Sequence, residues 1–251
     1  ATVHELPFVE NSSLEGTRRE LAQSFRLARA LSSCALLFAP SEATLRQMRS
    51  VHPAAGRITR VVPHPCPAVR GGATVPHDGS LLFVGRLGRR KRVEALFSGA
   101  AAFDGEIRLA GPQRRRERAR VEAAARRFGV GGRVRFLGIV DEDALDALYR
   151  SARAVALLSA SEGFGFPVLE ALARGVPVIV AEGTGAAETG GDAALVVDPA
   201  SPEAIAEAIR RAGDAAYRAG VETDGPARCA LFSPERTARA YEEAFLHAVG
   251  G

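Results

Sequence analysis

Short apolar runs alternate with longer amphipathic stretches through most of this chain. The runs occupy residues 81–84, 107–110, 134–137, 154–158, 176–180 and 194–197. Runs of three to five apolar residues, two of them carrying a single arginine (Arg108, Arg135), bounded by turn residues or charge, predict strands. Between the runs, apolar residues recur at helical spacing, as at Ala144, Leu145, Leu148 and Tyr149, or Val121, Ala124, Ala125 and Phe128 before Gly129. Strands alternating with helices predict an α/β domain over 78–232, built on a parallel sheet with helices on its faces. Ser201-Pro202-Glu203 and Ser233-Pro234-Glu235 read as helix starts, with a capping serine and proline at the first position. The second of these opens a final helix over 233–251.

The amino-terminal pattern is sparser. Thr2-Val3-His4 reads as a strand end, followed by a loop to about Gly16 and a helix over 18–31. A strand follows at 35–38, then a helix opened by Pro40-Ser41-Glu42, then a strand at 58–62. Two or three strands are too few for a complete doubly wound domain. No strand with a glycine-rich turn opens the region, as such a domain requires. Residues 1–62 are therefore expected to form an incomplete lobe, and to be the place for self-association or a partner chain. Pro63-His64-Pro65-Cys66-Pro67 and then Gly71-Gly72 mark 63–77 as a linker whose prolines limit its flexibility.

The richest chemistry lies in Ser161-Glu162-Gly163-Phe164-Gly165-Phe166-Pro167-Val168-Leu169-Glu170. It places Glu162 at the carboxyl end of a predicted strand and Glu170 inside the next helix. In open α/β sheets that crevice is where ligands bind, and free amides at a helix start favour an anion. A second signal is compositional. Of 33 Lys and Arg residues only Lys91 is a lysine, five positions after Arg86 at the exit of the 81–84 run. Lysine is a compact, flexible point charge for phosphate, which arginine does not reproduce. The neighbouring Arg89, Arg90 and Arg92 read as a solvated basic turn.

These residues resemble the carboxyl-terminal domain of the retaining GT-B glycosyltransferases, in the family (glycosyltransferase family four) that includes sucrose synthases and bacterial mannosyltransferases. The matching elements are Glu162 and Glu170 with seven residues between them, the Gly163-Phe164-Gly165 turn, Pro167, Leu169, and Gly85-Arg86-Leu87 followed by Lys91. The resemblance implies two Rossmann-like lobes. Residues 1–62 would be the end of the acceptor-side lobe, 78–232 the nucleotide-sugar-binding lobe, and the last helix would cross back to the first. It implies transfer of a hexose from a nucleoside-diphosphate sugar to an unidentified acceptor, with retention and without a metal or other cofactor. Arg86 and Lys91 would clamp the diphosphate. Glu162, with the amides of Gly163, Phe164, Gly165 and Phe166, would face the donor sugar, and Glu170 would hold the ribose hydroxyls. Gly138 and Val140 would meet the base, and His4 would end the first-lobe strand that faces the active site. Glu188, in a loop that resembles the family's, reads as structural. Two other readings stay open: a GT-B-fold nucleotide-sugar epimerase, and a non-catalytic nucleotide-sugar-binding subunit.

The remaining features narrow the picture. A net charge of +4 with pI near 9.4 raises the question of nucleic acid. The densest basic run, Arg114-Arg115-Arg116-Glu117-Arg118-Ala119-Arg120, has no interleaved aromatics and no recognition motif, so it reads as a solvated helix face. Contact with an anionic membrane surface or with a charged acceptor is the alternative use of that charge. Asp141-Glu142-Asp143 opens a helix, where carboxylates cap amides, and is not expected to hold a metal. Cys34, Cys66 and Cys229 have neither metal-ligand spacing nor a disulfide framework, which points to a reducing cytoplasm. No apolar run approaches the roughly 18 residues of a membrane span. Abundant Ala, Arg and Gly without tryptophan suggest a GC-rich bacterial source.

Overall fold

The computed structural model describes residues 1–4, 6, 25, 28–69 and 75–250. The expected loop to Gly16, most of the expected helix from Arg18 and the Gly71-Gly72 pair lie outside the described residues. Residues 28–33 are helical.

The described amino-terminal part is a small parallel sheet. Strand β1 (Leu37–Ala39) pairs with β2 (Thr59–Val61), and Thr2 bridges to Phe38 on the other side. Helix α1 (Glu42–Val51) lies between the strands in sequence, and the short α2 (Ala55–Ile58) leads into β2. Ser41 caps α1, its hydroxyl accepting from the Thr44 amide at 3.1 Å. Leu6, Leu37, Ala39, Leu45, Met48 and Ala55 form the core of this part.

The larger sheet has six parallel strands: β3 (Leu81–Val84), β4 (Ile107–Ala110), β5 (Val134–Gly138), β6 (Ala154–Leu157), β7 (Val178–Ala181) and β8 (Ala194–Val197). Their spatial order is β5-β4-β3-β6-β7-β8. The chain winds outward from β3 in one direction and from β6 in the other, so the β3/β6 boundary is the topological switch point. Doubly wound sheets bind ligands in the crevice beyond the carboxyl ends of such a pair. Helices α3 (Val93–Gly99), α4 (Arg115–Arg127), α5 (Glu142–Ser151), α6 (Phe166–Leu172) and α7 (Gly185–Gly190) lie in the connections between strands, and α8 (Pro202–Arg211) and α9 (Ala215–Ala230) follow β8. The central strands β6 and β7 are buried along their whole length, as a sheet covered on both faces requires.

The last helix, α10 (Pro234–Gly250), returns to the small sheet. Phe38 of β1 meets Tyr241 and Phe245 edge-to-face at 4.7 and 5.4 Å, and packs with Val62 and Ala244. Each such aromatic contact adds about 0.5–1.5 kcal/mol beyond its buried area. No helix among the described residues is long and apolar enough to cross a membrane.

Candidate active site

Lys91 follows β3 and Glu162 follows β6, so the switch point brings together residues 71 positions apart. The Lys91 ammonium donates to Glu162 Oε2 at 2.5 Å. Both side chains are largely shielded, with 14% and 13% of their surfaces exposed. Ser159 Oγ donates to the same carboxylate oxygen at 3.1 Å. Arg90 stands 3.7 Å from it and also donates to the Ser161 carbonyl. Arg90 is thus no solvated turn residue, as its sequence neighbourhood suggested; the tight turn at Arg89–Lys91 swings it inward to brace the glutamate loop. Immediately after it, Arg92 holds a left-handed backbone with φ of 43°, the one positive-φ residue other than glycine among those described. Strain of this kind persists where the surroundings over-determine the backbone. Arg86 is exposed beyond β3 and pairs with no described residue.

The glutamate turn has an uneven hydrogen-bond pattern. Every carbonyl from Ser161 to Gly165 is tied to the protein. Ser161 accepts from Arg90, Glu162 from the Gly185 amide at 2.8 Å, and Gly163 from Thr44 Oγ1 at 3.4 Å. Phe164 accepts from Thr189 Oγ1 at 2.6 Å, and Gly165 from the Val168 amide at 2.9 Å. None of the backbone amides from Ser161 to Phe166 donates to a described residue. Buried amides are almost always paired in folded proteins, and a run of amides without a described acceptor can receive an anion. Two glycines allow the shape. Gly165 has φ of 94°, and a Cβ on Gly185 would lie 2.3 Å from the Gly163 carbonyl oxygen. The loop before α7 is thus pressed directly onto the turn.

Glu170 sits on α6, half-buried, and accepts from the Tyr149 hydroxyl at 2.5 Å. Gly138 ends β5 with φ of 71°, at a register shift opposite Ala110, and Val140 lies just beyond it on the edge of the sheet. His4 is brought to the same end of the molecule by the Thr2–Phe38 bridge. Its Nδ1 lies 3.2 Å from Nε2 of His64, and His64 in turn stacks on Phe166 at 5.4 Å and meets Phe164 edge-on at 5.2 Å. Burial, reinforced by the nearby His4, holds the His64 imidazole below the usual histidine range. Neither His64 nor Ser159 stood out in the sequence, because one lies in a proline-rich linker and the other is a small residue just after an apolar run.

The residues set aside as structural are placed accordingly. Asp141 caps α5, accepting from the Ala144 amide at 2.8 Å. Glu188 joins the lobes, accepting from the Glu42 amide at 2.8 Å and from Arg46 at 2.9 Å. Arg114, Arg115, Arg116 and Arg118 are exposed along α4. Arg120 departs from the solvated-face reading: it pairs with Glu94 and donates to the Leu87 carbonyl.

Residues 74–215 match the model of the family described as glycosyl transferases group 1. The O-antigen chain mannosyltransferase B of Escherichia coli is 33% identical over 164 residues, which cover 63% of this chain and 43% of that protein. A D-inositol 3-phosphate glycosyltransferase of Corynebacterium urealyticum is 35% identical over 176 residues, covering 65% and 42%. The matched part thus spans about two fifths of the length of these curated relatives. Among solved structures, sucrose-phosphate synthase from Thermosynechococcus elongatus superposes with a TM-score of 0.82 at 26% identity, over 99% of this chain and 67% of that one. The Anabaena protein HepE, in complex with UDP and glucose, shares the fold with a TM-score of 0.77 at 18% identity, over 97% and 70%. With its switch-point site, parallel six-stranded sheet and partial first lobe, the chain has the GT-B fold and belongs to the glycosyl transferases group 1 family.

Proposed function

We propose that this chain carries the donor site of a retaining glycosyltransferase that uses a nucleoside-diphosphate sugar. The observation that carries this reading is the turn from Ser161 to Phe166, whose carbonyls are all tied down while its amides stand open beside Lys91. A diphosphate is the ligand class that suits a row of amides flanked by an ammonium and a guanidinium. Family membership and the transferases among the relatives give the same class of reaction.

On this reading the glycosidic bond to the diphosphate breaks as negative charge builds on the leaving oxygens. Lys91, Arg86 and the turn amides offset that charge in a site already shaped before the reaction, which is electrostatic catalysis by preorganised groups. Lys91 can serve both neighbours, since its ammonium has three donors and Glu162 uses one. Glu162, held by Lys91 and Ser159, orients the sugar and need not attack it. The acceptor attacks from the face the diphosphate leaves, and the departing phosphate takes its proton. No metal is required, because the cations at the site already oppose the diphosphate.

The test is a transfer assay with a panel of nucleoside-diphosphate sugars in excess chelator, with the anomeric configuration of the product read by NMR. Transfer with the donor's configuration kept is expected. Inversion would overturn the retaining mechanism, and strict dependence on added magnesium or manganese would overturn the metal-free one.

A further inference from the structure

Tyr149 is fully buried, yet it is a tyrosine where phenylalanine would fill the same space. Burying a hydroxyl is costly unless it has a partner. Its partner here is a charged one, Glu170 Oε2 at 2.5 Å. The hydroxyl is fixed in turn. The Arg174 guanidinium lies 4.9 Å above the tyrosine ring and is itself anchored by Asp146 at 2.8 Å. Arg174 also donates to the Glu170 carbonyl at 2.7 Å, and Asp146 takes Arg150 at 2.7 Å. Burial and the adjacent Glu170 charge hold the tyrosine hydroxyl well above its usual range, so it stays a proton donor. One oxygen of Glu170 is thereby clamped. The other, Oε1, accepts from no described residue.

We propose that Tyr149 is a positioning residue that clamps one oxygen of Glu170 so that the other meets the ribose hydroxyls of the donor nucleotide, giving preference for ribose over 2′-deoxyribose. The proposal rests on the reading of Glu170 as the ribose ligand. The physical basis is that a flexible glutamate pays rotamer entropy to hold a hydroxyl, whereas a clamped one does not. A site built to bind a hydroxyl also disfavours the analogue that lacks it.

The test is calorimetric titration of the full chain with UDP, GDP, ADP, their 2′-deoxy counterparts and inorganic pyrophosphate. The wild type should bind at least one ribonucleotide about tenfold or more tighter than its deoxy form. Tyr149→Phe should lose most of that ratio and keep its pyrophosphate affinity within about twofold, because the clamp acts on the sugar alone. Retention of the ratio in Tyr149→Phe, or an equal fall for all ligands including pyrophosphate, would reduce Tyr149 to a packing role and leave the nucleotide site intact. Binding by the wild type without ribose preference would also overturn the proposal while leaving that site in place. No binding of any nucleotide would remove the donor-site reading and the proposal together. If Tyr149→Phe does not fold, Tyr149→Met, which removes the hydroxyl and fills the space with a flexible apolar chain, is read the same way: loss of the ribose ratio supports the clamp, and an unchanged ratio overturns it.

Discussion

The Lys91 ammonium and the Glu162 carboxylate meet at 2.5 Å across the boundary between β3 and β6. Each follows a different central strand, and neither belongs to the repeating pattern that builds the sheet. Their pairing keeps both charges compensated in a shielded crevice. On the proposed reading, an incoming diphosphate meets a cation already in place.

Lys91→Ala should weaken nucleoside-diphosphate binding by about 10–100-fold, the scale of one charge-assisted contact to phosphate. Arg115→Ala, on the exposed face of α4, should change it by no more than about twofold. Calorimetry at one salt concentration checks the difference. Equal effects would make the attraction a general property of a basic protein.

Gly185→Ala should destabilise the protein by about 1–3 kcal/mol. The added Cβ would lie 2.3 Å from the Gly163 carbonyl oxygen and 2.6 Å from that of Glu162, both backbone atoms that cannot rotate away. Nucleotide binding should fall further than stability alone explains, because the open amides move with those carbonyls. Denaturant midpoints and binding titrations on the same preparation separate the two effects.

Acid should weaken the fold partly through His64. Its folded-state pKa lies below the unfolded value near 6.5, so below that pH the unfolded chain takes up a proton that the folded chain resists. The stability contributed by keeping His64 neutral is therefore full above about pH 6.5 and is lost as pH falls toward its folded-state pKa. His64→Gln should flatten the stability profile between about pH 7.5 and 5.5. An unchanged slope in the variant would assign the dependence to other groups.

Much of the larger sheet can be read from the chain because buried parallel strands leave short apolar runs, four of them free of charge and two interrupted only by Arg108 and Arg135. All six appear where the pattern put them, with ends shifted by a residue or two: 154–158 closes at Leu157, and 176–180 becomes Val178–Ala181. Glu162, Glu170, Arg86 and Lys91 were legible as candidates because strand exits followed by glycine or lone charges are local signals. What was not legible depends on contacts between distant segments. The inward turn of Arg90 depends on the backbone at Arg89–Lys91. Tyr149 looked like one more apolar position of α5, since nothing in its spacing reveals a carboxylate 21 positions later. His64 and His4 carry no local signal of being neighbours across 60 positions.

The claim on which the rest depends is that the amides from Ser161 to Phe166 receive a diphosphate. Amide-resolved NMR of the isotope-labelled protein, titrated with nucleoside diphosphate in the presence of chelator, tests it directly. The amide protons of this turn should move downfield and exchange more slowly with solvent, together with a shift at the Lys91 ammonium. Saturable binding that leaves these amides unmoved and perturbs residues elsewhere would contradict it.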